Sequence, residues 1–111
     1  MNEISRRKSP RVKLDVFVGE TVGGKYFLPL AADLSEDGIY LECPNGIERL
    51  GNAPVVEFTL PGLSDLIWAR CRTLRTEGKG FFTGRALRFV NIAPVDRQKI
   101  RYFIHRRCGM R

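Results

Sequence analysis

Two short polar segments contain the residues of this chain that are best suited to bind a ligand. Residues 7–11 read Arg-Lys-Ser-Pro-Arg, and residues 33–38 read Asp-Leu-Ser-Glu-Asp-Gly. An arginine guanidinium is a planar fork of donors that matches phosphate oxygens and the acceptor edge of guanine. A carboxylate such as that of Asp33 accepts hydrogen bonds from the N1 and N2 hydrogens of guanine. Together the segments suit a guanine nucleotide better than a plain polyanion.

The first segment predicts an extended arm rather than a helix. Pro10 disfavours helical geometry at the residue before it, so Arg7 and Arg11 do not share one helix face. We expect residues 1–11 to form a mobile arm and residues 12–108 to form the folded domain. An arginine-rich tail alone is more often a solvated segment than a ligand clamp. The binding interpretation therefore depends on the second segment.

Composition predicts one cytoplasmic domain that attracts anions. The chain has 111 residues, of which 43% are hydrophobic, and this is enough for one core without disulfides. No apolar run approaches the ~20 residues of a membrane span. No signal peptide is expected either, because no apolar region follows the first residues. Three cysteines without a CxxC pair are expected to be reduced thiols. The net charge of +7 favours nucleotides, nucleic acid or acidic lipid without choosing among them.

Hydrophobic patterning predicts strands first and a helix last. Six runs have the period or the composition of strands, and they span residues 12–18, 26–34, 39–43, 54–60, 66–76 and 80–90. Residues 21–25, with two glycines at 23–24, and residues 77–79 are typical of hairpin turns.

From Pro94 to about residue 107 the pattern becomes helical. Proline suits the first helical position, and Ile100, Phe103 and Ile104 share one apolar face, which belongs either to the core or to a partner interface. Gly109 is suited to end the helix. The predicted fold is therefore mainly β, a six-stranded antiparallel β-barrel with a C-terminal α-helix packed on one end or face.

These residues and elements resemble the PilZ domain family of bacterial receptors for cyclic di-GMP. Its members combine an N-terminal RxxxR segment, a later [DN]xSxxG turn, a six-stranded barrel of the split-barrel type and usually a C-terminal helix. In this sequence Arg7 and Arg11 fill the first motif, and Asp33, Ser35 and Gly38 fill the second. The resemblance covers nearly the whole chain.

The resemblance implies a binding role for each motif residue. Arg7 and Arg11 would engage phosphate oxygens and guanine and fold the arm over the ligand, while Asp33 and Ser35 would hold a guanine edge from the barrel surface. Gly38 would permit a positive φ and a close backbone approach. Asp33 and Ser35 could also simply cap the turn, a role compatible with ligand contact.

The resemblance also implies the kind of protein. The ligand would be cyclic di-GMP, with no cofactor and no catalysis. Arg6, immediately before the first motif, occupies a position associated in the family with ligand stoichiometry, so we expect two ligand molecules per domain as an intercalated dimer. Binding would order the arm and present a surface to a downstream protein that controls motility, pili or exopolysaccharide.

The residues alone leave other functions open. A nucleic-acid-binding barrel fits the charge, although aromatic residues are not interleaved with the basic ones as stacking platforms. A PilZ module that binds only protein would not need intact motifs. Attachment to a membrane surface would need a basic amphipathic helix with a broad apolar face, and the sequence has none.

Further polar and aromatic residues are left out of the predicted site. His105 is the only histidine, and a solvated helix residue is far commoner than a catalytic base. No metal-ligand cluster, and no nucleophile with a base beside it, is visible, so the sequence predicts neither an enzyme nor a metal site. Trp68 and Arg75 could stack on a base, but a half-buried tryptophan more often belongs to the core.

Overall fold

The computed structural model describes residues 10–109, which form one antiparallel sheet and one α-helix. The strands are Val12–Phe17 (β1), Gly19–Val22 (β2), Lys25–Phe27 (β3), Leu30–Leu34 (β4), Gly38–Pro44 (β5), Val55–Phe58 (β6), Ile67–Lys79 (β7) and Phe82–Ile92 (β8), and the helix is Pro94–Arg107 (α1). A short 3-10 helix, Ile47–Leu50, follows β5. No helix within the described residues is long and apolar enough to cross a membrane.

The order of the strands requires the sheet to curl. The strands are hydrogen-bonded in the order β1-β4-β5-β8-β7-β6-β2-β3. Only Val18 separates β1 from β2 along the chain, yet β1 lies at one edge of the sheet and β2 lies next to the other edge. Two consecutive strands can occupy these positions only if the sheet bends round on itself. This curled, mainly β architecture with a C-terminal helix confirms the predicted fold class.

Within residues 10–109 the sheet has eight strands, where the sequence predicted six. The predicted run at residues 26–34 is divided into β3 and β4, and an additional strand, β2, follows β1. The amide of Val18 donates to the carbonyl of Pro29 over 3.0 Å, and proline has no amide hydrogen with which to continue a ladder. Strand pairing is therefore interrupted at Val18 and at Pro29. The strands before and after each of these residues pair with different parts of the sheet.

The two predicted hairpin turns have different outcomes. The first turn is shorter than the predicted 21–25, because Thr21 belongs to β2 and Lys25 to β3. Residues 23–24, with φ of 59° and 76°, join these strands with the two positive φ values of a type I′ turn. The turn between β7 and β8 is wrongly predicted, because it lies at Gly80 and Phe81 rather than at residues 77–79. Gly80 has a φ of 75°, as the first central residue of a type II′ turn requires. The later turn lengthens β7 and changes its register with β8.

The helix packs on the sheet through its predicted apolar face. Ile100, Phe103 and Ile104 are buried in the same hydrophobic cluster as the inward residues of the strands, which confirms the core interpretation of this face. Pro94 takes the first helical position, and Gly109, with a φ of 71°, follows the C-terminus, as expected for a helix stop.

One ion pair lies inside the apolar core. The guanidinium of Arg85 on β8 donates to the carboxylate of Glu20 on β2, and both side chains are fully buried. Arg85 also donates to the sulfur of Cys43 from two nitrogens, over 3.0 and 3.2 Å. Burial by itself lowers the pKa of Arg85, but its bonds to Glu20 and Cys43 raise that pKa above its ordinary value. Arg85 therefore stays charged, and the pair joins strands from distant positions in the sheet.

Candidate nucleotide-binding site

The pairing of β1 with β4 brings the two polar segments together. The register sets Lys13 opposite Asp33. Because the strands run antiparallel, the exposed Arg11 just before β1 comes to the level of Ser35 just after β4. Two predicted site residues lie outside the described residues: Arg6 and Arg7. The C-terminal arginine of the first motif and the turn of the second motif are thus neighbours at one edge of the sheet.

Ser35 shapes the turn between β4 and β5. Its hydroxyl oxygen accepts hydrogen bonds from the amides of Asp37 (3.2 Å) and Gly38 (3.1 Å), and its own amide donates to the Gly38 carbonyl over 2.9 Å. Glu36 and Asp37 form ion pairs with arginines of α1. The turn is therefore fixed from within by Ser35 and from outside by the helix, and this agrees with the capping interpretation of Ser35.

Gly38 is required by packing rather than by backbone conformation. The predicted positive φ is wrong, since Gly38 is absent from the positive-φ residues of the described chain. The close approach that the structure shows is to β8, because a Cβ at this position would collide with the carbonyl oxygen of Leu87. The Asp37 carbonyl also accepts the amide of Phe89 over 2.8 Å. The turn therefore lies directly against β8.

Asp33 is half-buried and faces away from the core. The strand bulges just before it, since Ala31 pairs with Leu41 and Asp33 pairs with Tyr40, which leaves Ala32 as an extra residue. A bulge of this kind redirects the neighbouring side chain. Within residues 10–109 the Asp33 carboxylate has no hydrogen bond or ion pair. Its oxygens can therefore accept bonds from a ligand.

The register across four strands aligns a basic surface beside the turn. One row of directly paired residues crosses β4, β5, β8 and β7, and the next row crosses β5, β8 and β7. Directly opposite residues share one face of the sheet. We call the seven members the outer patch: Asp33, Tyr40, Ala86 and Arg75 in the first row, and Gly38, Arg88 and Arg72 in the second. Its three arginines are exposed.

Only part of the outer patch was predictable from the sequence. Asp33 and Gly38 were predicted site residues, whereas Tyr40, Arg72 and Arg88 were overlooked and Arg75 was set aside. Alternation along β7 and β8 would have identified Arg72 and Arg88 as outward-facing, whereas the register shift between Thr73 and Arg75 takes Arg75 out of that alternation. Their alignment depends on the register of the β7–β8 hairpin, which the misplaced turn obscured.

Tyr40 is held rigidly at the centre of the first row. Its hydroxyl donates to the carboxylate of Glu77 over 2.7 Å, and the same carboxylate binds Arg75 over 3.0 Å. The Lys79 ammonium lies 5.6 Å from the centre of the Tyr40 ring. Burial, followed by the hydrogen bond to Glu77, raises the pKa of Tyr40 from 10.0 to about 12. The ring therefore stays neutral and forms a fixed wall of the outer patch next to Asp33.

The sequence matches the PilZ domain over residues 5–106, which is nearly the whole chain. The chain therefore belongs to the PilZ domain family. A search of curated proteins found no match.

Solved structures from three organisms share the fold. The Bacillus subtilis inhibitor of motility, MotI/DgrA, superposes with a TM-score of 0.80 at 20% identity, over 96% of this chain and 53% of that one. Escherichia coli YcgR in complex with c-di-GMP superposes with a TM-score of 0.68 at 15% identity, over 91% of this chain and 45% of that one. Borreliella burgdorferi PlzA in complex with c-di-GMP superposes with a TM-score of 0.67 at 11% identity, over 96% of this chain and 54% of that one. This chain thus spans about half the length of each.

Proposed function

We propose that this chain is a receptor for cyclic di-GMP, which binds between the N-terminal arginines and the outer patch. The observation that carries the proposal is the pairing of β1 with β4, because it sets Arg11 beside Ser35 and near Asp33. Membership of the PilZ family supports the proposal. Two structures of similar fold that contain c-di-GMP support it further.

Each part of the site contributes a different interaction. The guanidinium groups of the arm bind phosphate oxygens and guanine O6 and N7, and these groups belong to Arg6, Arg7 and Arg11. Asp33 accepts the N1 and N2 hydrogens of guanine. Ser35 keeps the turn in place, and Gly38 lets the turn pack directly against β8. Charge-assisted bonds offset the entropy lost when the arm is ordered.

The proposed receptor acts by changing its surface rather than by catalysis. In the cytoplasm, binding orders residues 1–11 over the outer patch and creates a new surface for a downstream protein. Control of motility, pili or exopolysaccharide is the corresponding cellular role. Arg6 contacts the second molecule of an intercalated ligand dimer, so that each domain holds two molecules of cyclic di-GMP.

Isothermal titration calorimetry of the full chain tests the proposal. Cyclic di-GMP should bind saturably with a stoichiometry near two, whereas GTP and a short oligonucleotide at the same salt concentration should not. Arg7→Ala, Arg11→Ala and Asp33→Ala should each weaken binding by about 10- to 150-fold, as expected for lost charge-assisted bonds of roughly 1.5–3 kcal/mol. Asp65→Ala removes an exposed carboxylate from the loop before β7 and should bind like the wild type.

Two results would contradict parts of the proposal. Equal binding of all three anions, or no binding of cyclic di-GMP, would refute the receptor function. A stoichiometry near one with selective binding would refute only the dimer and the role of Arg6.

A further inference from the structure

The outer patch contains two arginines that face each other across a strand pair. Arg72 on β7 is the direct partner of Arg88 on β8, and both side chains are exposed. Side chains at directly opposite positions of an antiparallel pair lie on the same face, and like charges there destabilise the sheet. The free protein therefore carries two like charges at directly opposite positions of its outer patch, which is unfavourable.

No acidic side chain within residues 10–109 forms an ion pair with either arginine. Arg75, one row away on the same patch, differs because it has Glu77 as its partner. On the other side of Arg88 the paired residue is Gly38, which has no side chain. Arg72 and Arg88 therefore lack the neutralising carboxylate that their neighbour has.

The two arginines border the turn of the second motif. Arg88 pairs with Gly38, and the next residue of β8, Phe89, donates its amide to the carbonyl of Asp37. The Gly38 position must stay bare, since a Cβ there would collide with Leu87. A ligand that contacts the turn at Gly38 therefore comes within reach of the Arg88 and Arg72 guanidinium groups.

We propose that Arg72 and Arg88 form an anion subsite that takes a phosphodiester group of the nucleotide bound at this turn. This inference rests on the proposed function and adds two ligand-binding residues that lie outside both motifs. Two guanidinium forks can bind the non-bridging oxygens of one phosphodiester. The bound anion removes the repulsion between the arginines, so the contact that costs stability in the free protein contributes affinity in the complex.

The test compares alanine variants of the full chain by calorimetry with cyclic di-GMP. Arg72→Ala and Arg88→Ala should each weaken binding by about tenfold, which is the loss of one charge-assisted bond. The matched control is Arg49→Ala, which removes an exposed arginine from the 3-10 helix after β5. Because β5 begins at Gly38 and the 3-10 helix follows its end, the control lies at the other end of this strand and should bind like the wild type.

Thermal unfolding of the free variants separates this role from a structural one. Arg72→Ala and Arg88→Ala should unfold at the same temperature as the wild type or slightly higher, because each relieves the like-charge contact. Arg88→Lys keeps the charge but loses the fork, and should bind more weakly than the wild type. Titration with inorganic phosphate alone should give no saturable binding, since the subsite depends on the contacts that the rest of the nucleotide makes.

The outcomes distinguish this inference from the proposed function. If the wild type binds cyclic di-GMP, Asp33→Ala weakens binding, and both arginine variants match Arg49→Ala, then the subsite is refuted and the receptor function stands. Saturable binding of inorganic phosphate that Arg72→Ala and Arg88→Ala abolish would show a free-phosphate site and overturn the phosphodiester assignment. Failure of the wild type to bind cyclic di-GMP would refute the receptor function itself.

Discussion

Arg97 of α1 donates a hydrogen bond of 3.0 Å to the backbone carbonyl of Glu36, in the turn after β4. The same guanidinium lies 3.3 Å from the carboxylate of Asp37, and Arg101, one helical turn later, pairs with the carboxylate of Glu36. Glu36 and Asp37 are two of the three variable positions of the second motif. They join the turn to the helix, so the shape of the turn and the position of α1 depend on each other.

Replacing Arg97 with alanine should loosen this turn without unfolding the sheet. A partly exposed ion pair contributes about 0.2–1 kcal/mol, so the free energy of unfolding should fall by no more than that. The amides of Asp37 and Gly38, which bind the Ser35 hydroxyl, should exchange with solvent faster. Hydrogen exchange measures this, and Lys99→Ala is the control because it removes an ion pair between α1 and Asp65. Equal exchange in both variants would contradict the coupling.

Gly38→Ala should destabilise the protein, because the added Cβ collides with the Leu87 carbonyl. Overpacking of this kind costs about 1–3 kcal/mol, and each kcal/mol lowers the unfolding temperature by roughly 4–8 °C in a domain of this size. Gly78→Ala is the matched control, since a Cβ there meets no atom within 4 Å. Thermal unfolding of the two variants measures this difference in stability. Equal unfolding temperatures would show that β8 does not constrain Gly38.

The buried ion pair should be more sensitive to the loss of one partner than to the loss of both. Arg85→Met leaves the carboxylate of Glu20 uncompensated in the core, which costs about 3–5 kcal/mol. The double variant Glu20→Leu, Arg85→Met removes both charges and should recover much of that loss. Urea denaturation measures both. A double variant as unstable as the single one would mean that packing, and not the unpaired charge, sets the cost.

Alkaline pH should destabilise the fold through Tyr40 and Cys71. Burial, with the Glu77 hydrogen bond, raises the pKa of Tyr40 from 10.0 to about 12, and burial raises the pKa of Cys71 from 9.0 to about 12. Because the unfolded chain releases these protons first, the stability they contribute is complete below about pH 9. It is lost as the pH rises through 12.

Unfolding temperatures measured between pH 8 and pH 12 test this expectation. Tyr40→Phe has no hydroxyl to ionise and should lose less stability above pH 10 than the wild type does. Tyr102→Phe removes an exposed hydroxyl from α1 and should behave as the wild type. A Tyr40→Phe variant with the wild-type pH profile would contradict the role of this tyrosine.

Features with a local signal were predictable from the sequence. The apolar period after Pro94 and the glycine at its end predicted α1 with its observed bounds, and two consecutive glycines at residues 23–24 predicted the β2–β3 turn. The fold class followed from the strand patterns. The motif located the turn of residues 33–38. The preference of serine hydroxyls for nearby backbone amides predicted that Ser35 caps this turn.

Features that depend on contacts between distant strands were not predictable. The sequence predicted a hairpin turn at residues 77–79, and a turn centred on residue 78 would set Arg72 opposite Gly84 instead of Arg88. The outer patch was therefore not visible as a unit. Gly38 was assigned a positive φ because a local turn often needs one, whereas the real constraint comes from β8.

The most direct test of the central proposal is a titration of the isotope-labelled full chain with cyclic di-GMP, followed by amide NMR. The proposal predicts saturable shifts at Arg11, in the turn of residues 33–38 and along residues 86–88 of β8, with little change in the 3-10 helix Ile47–Leu50. Shifts confined to any other surface, or no shifts at all, would contradict the binding site proposed for this protein.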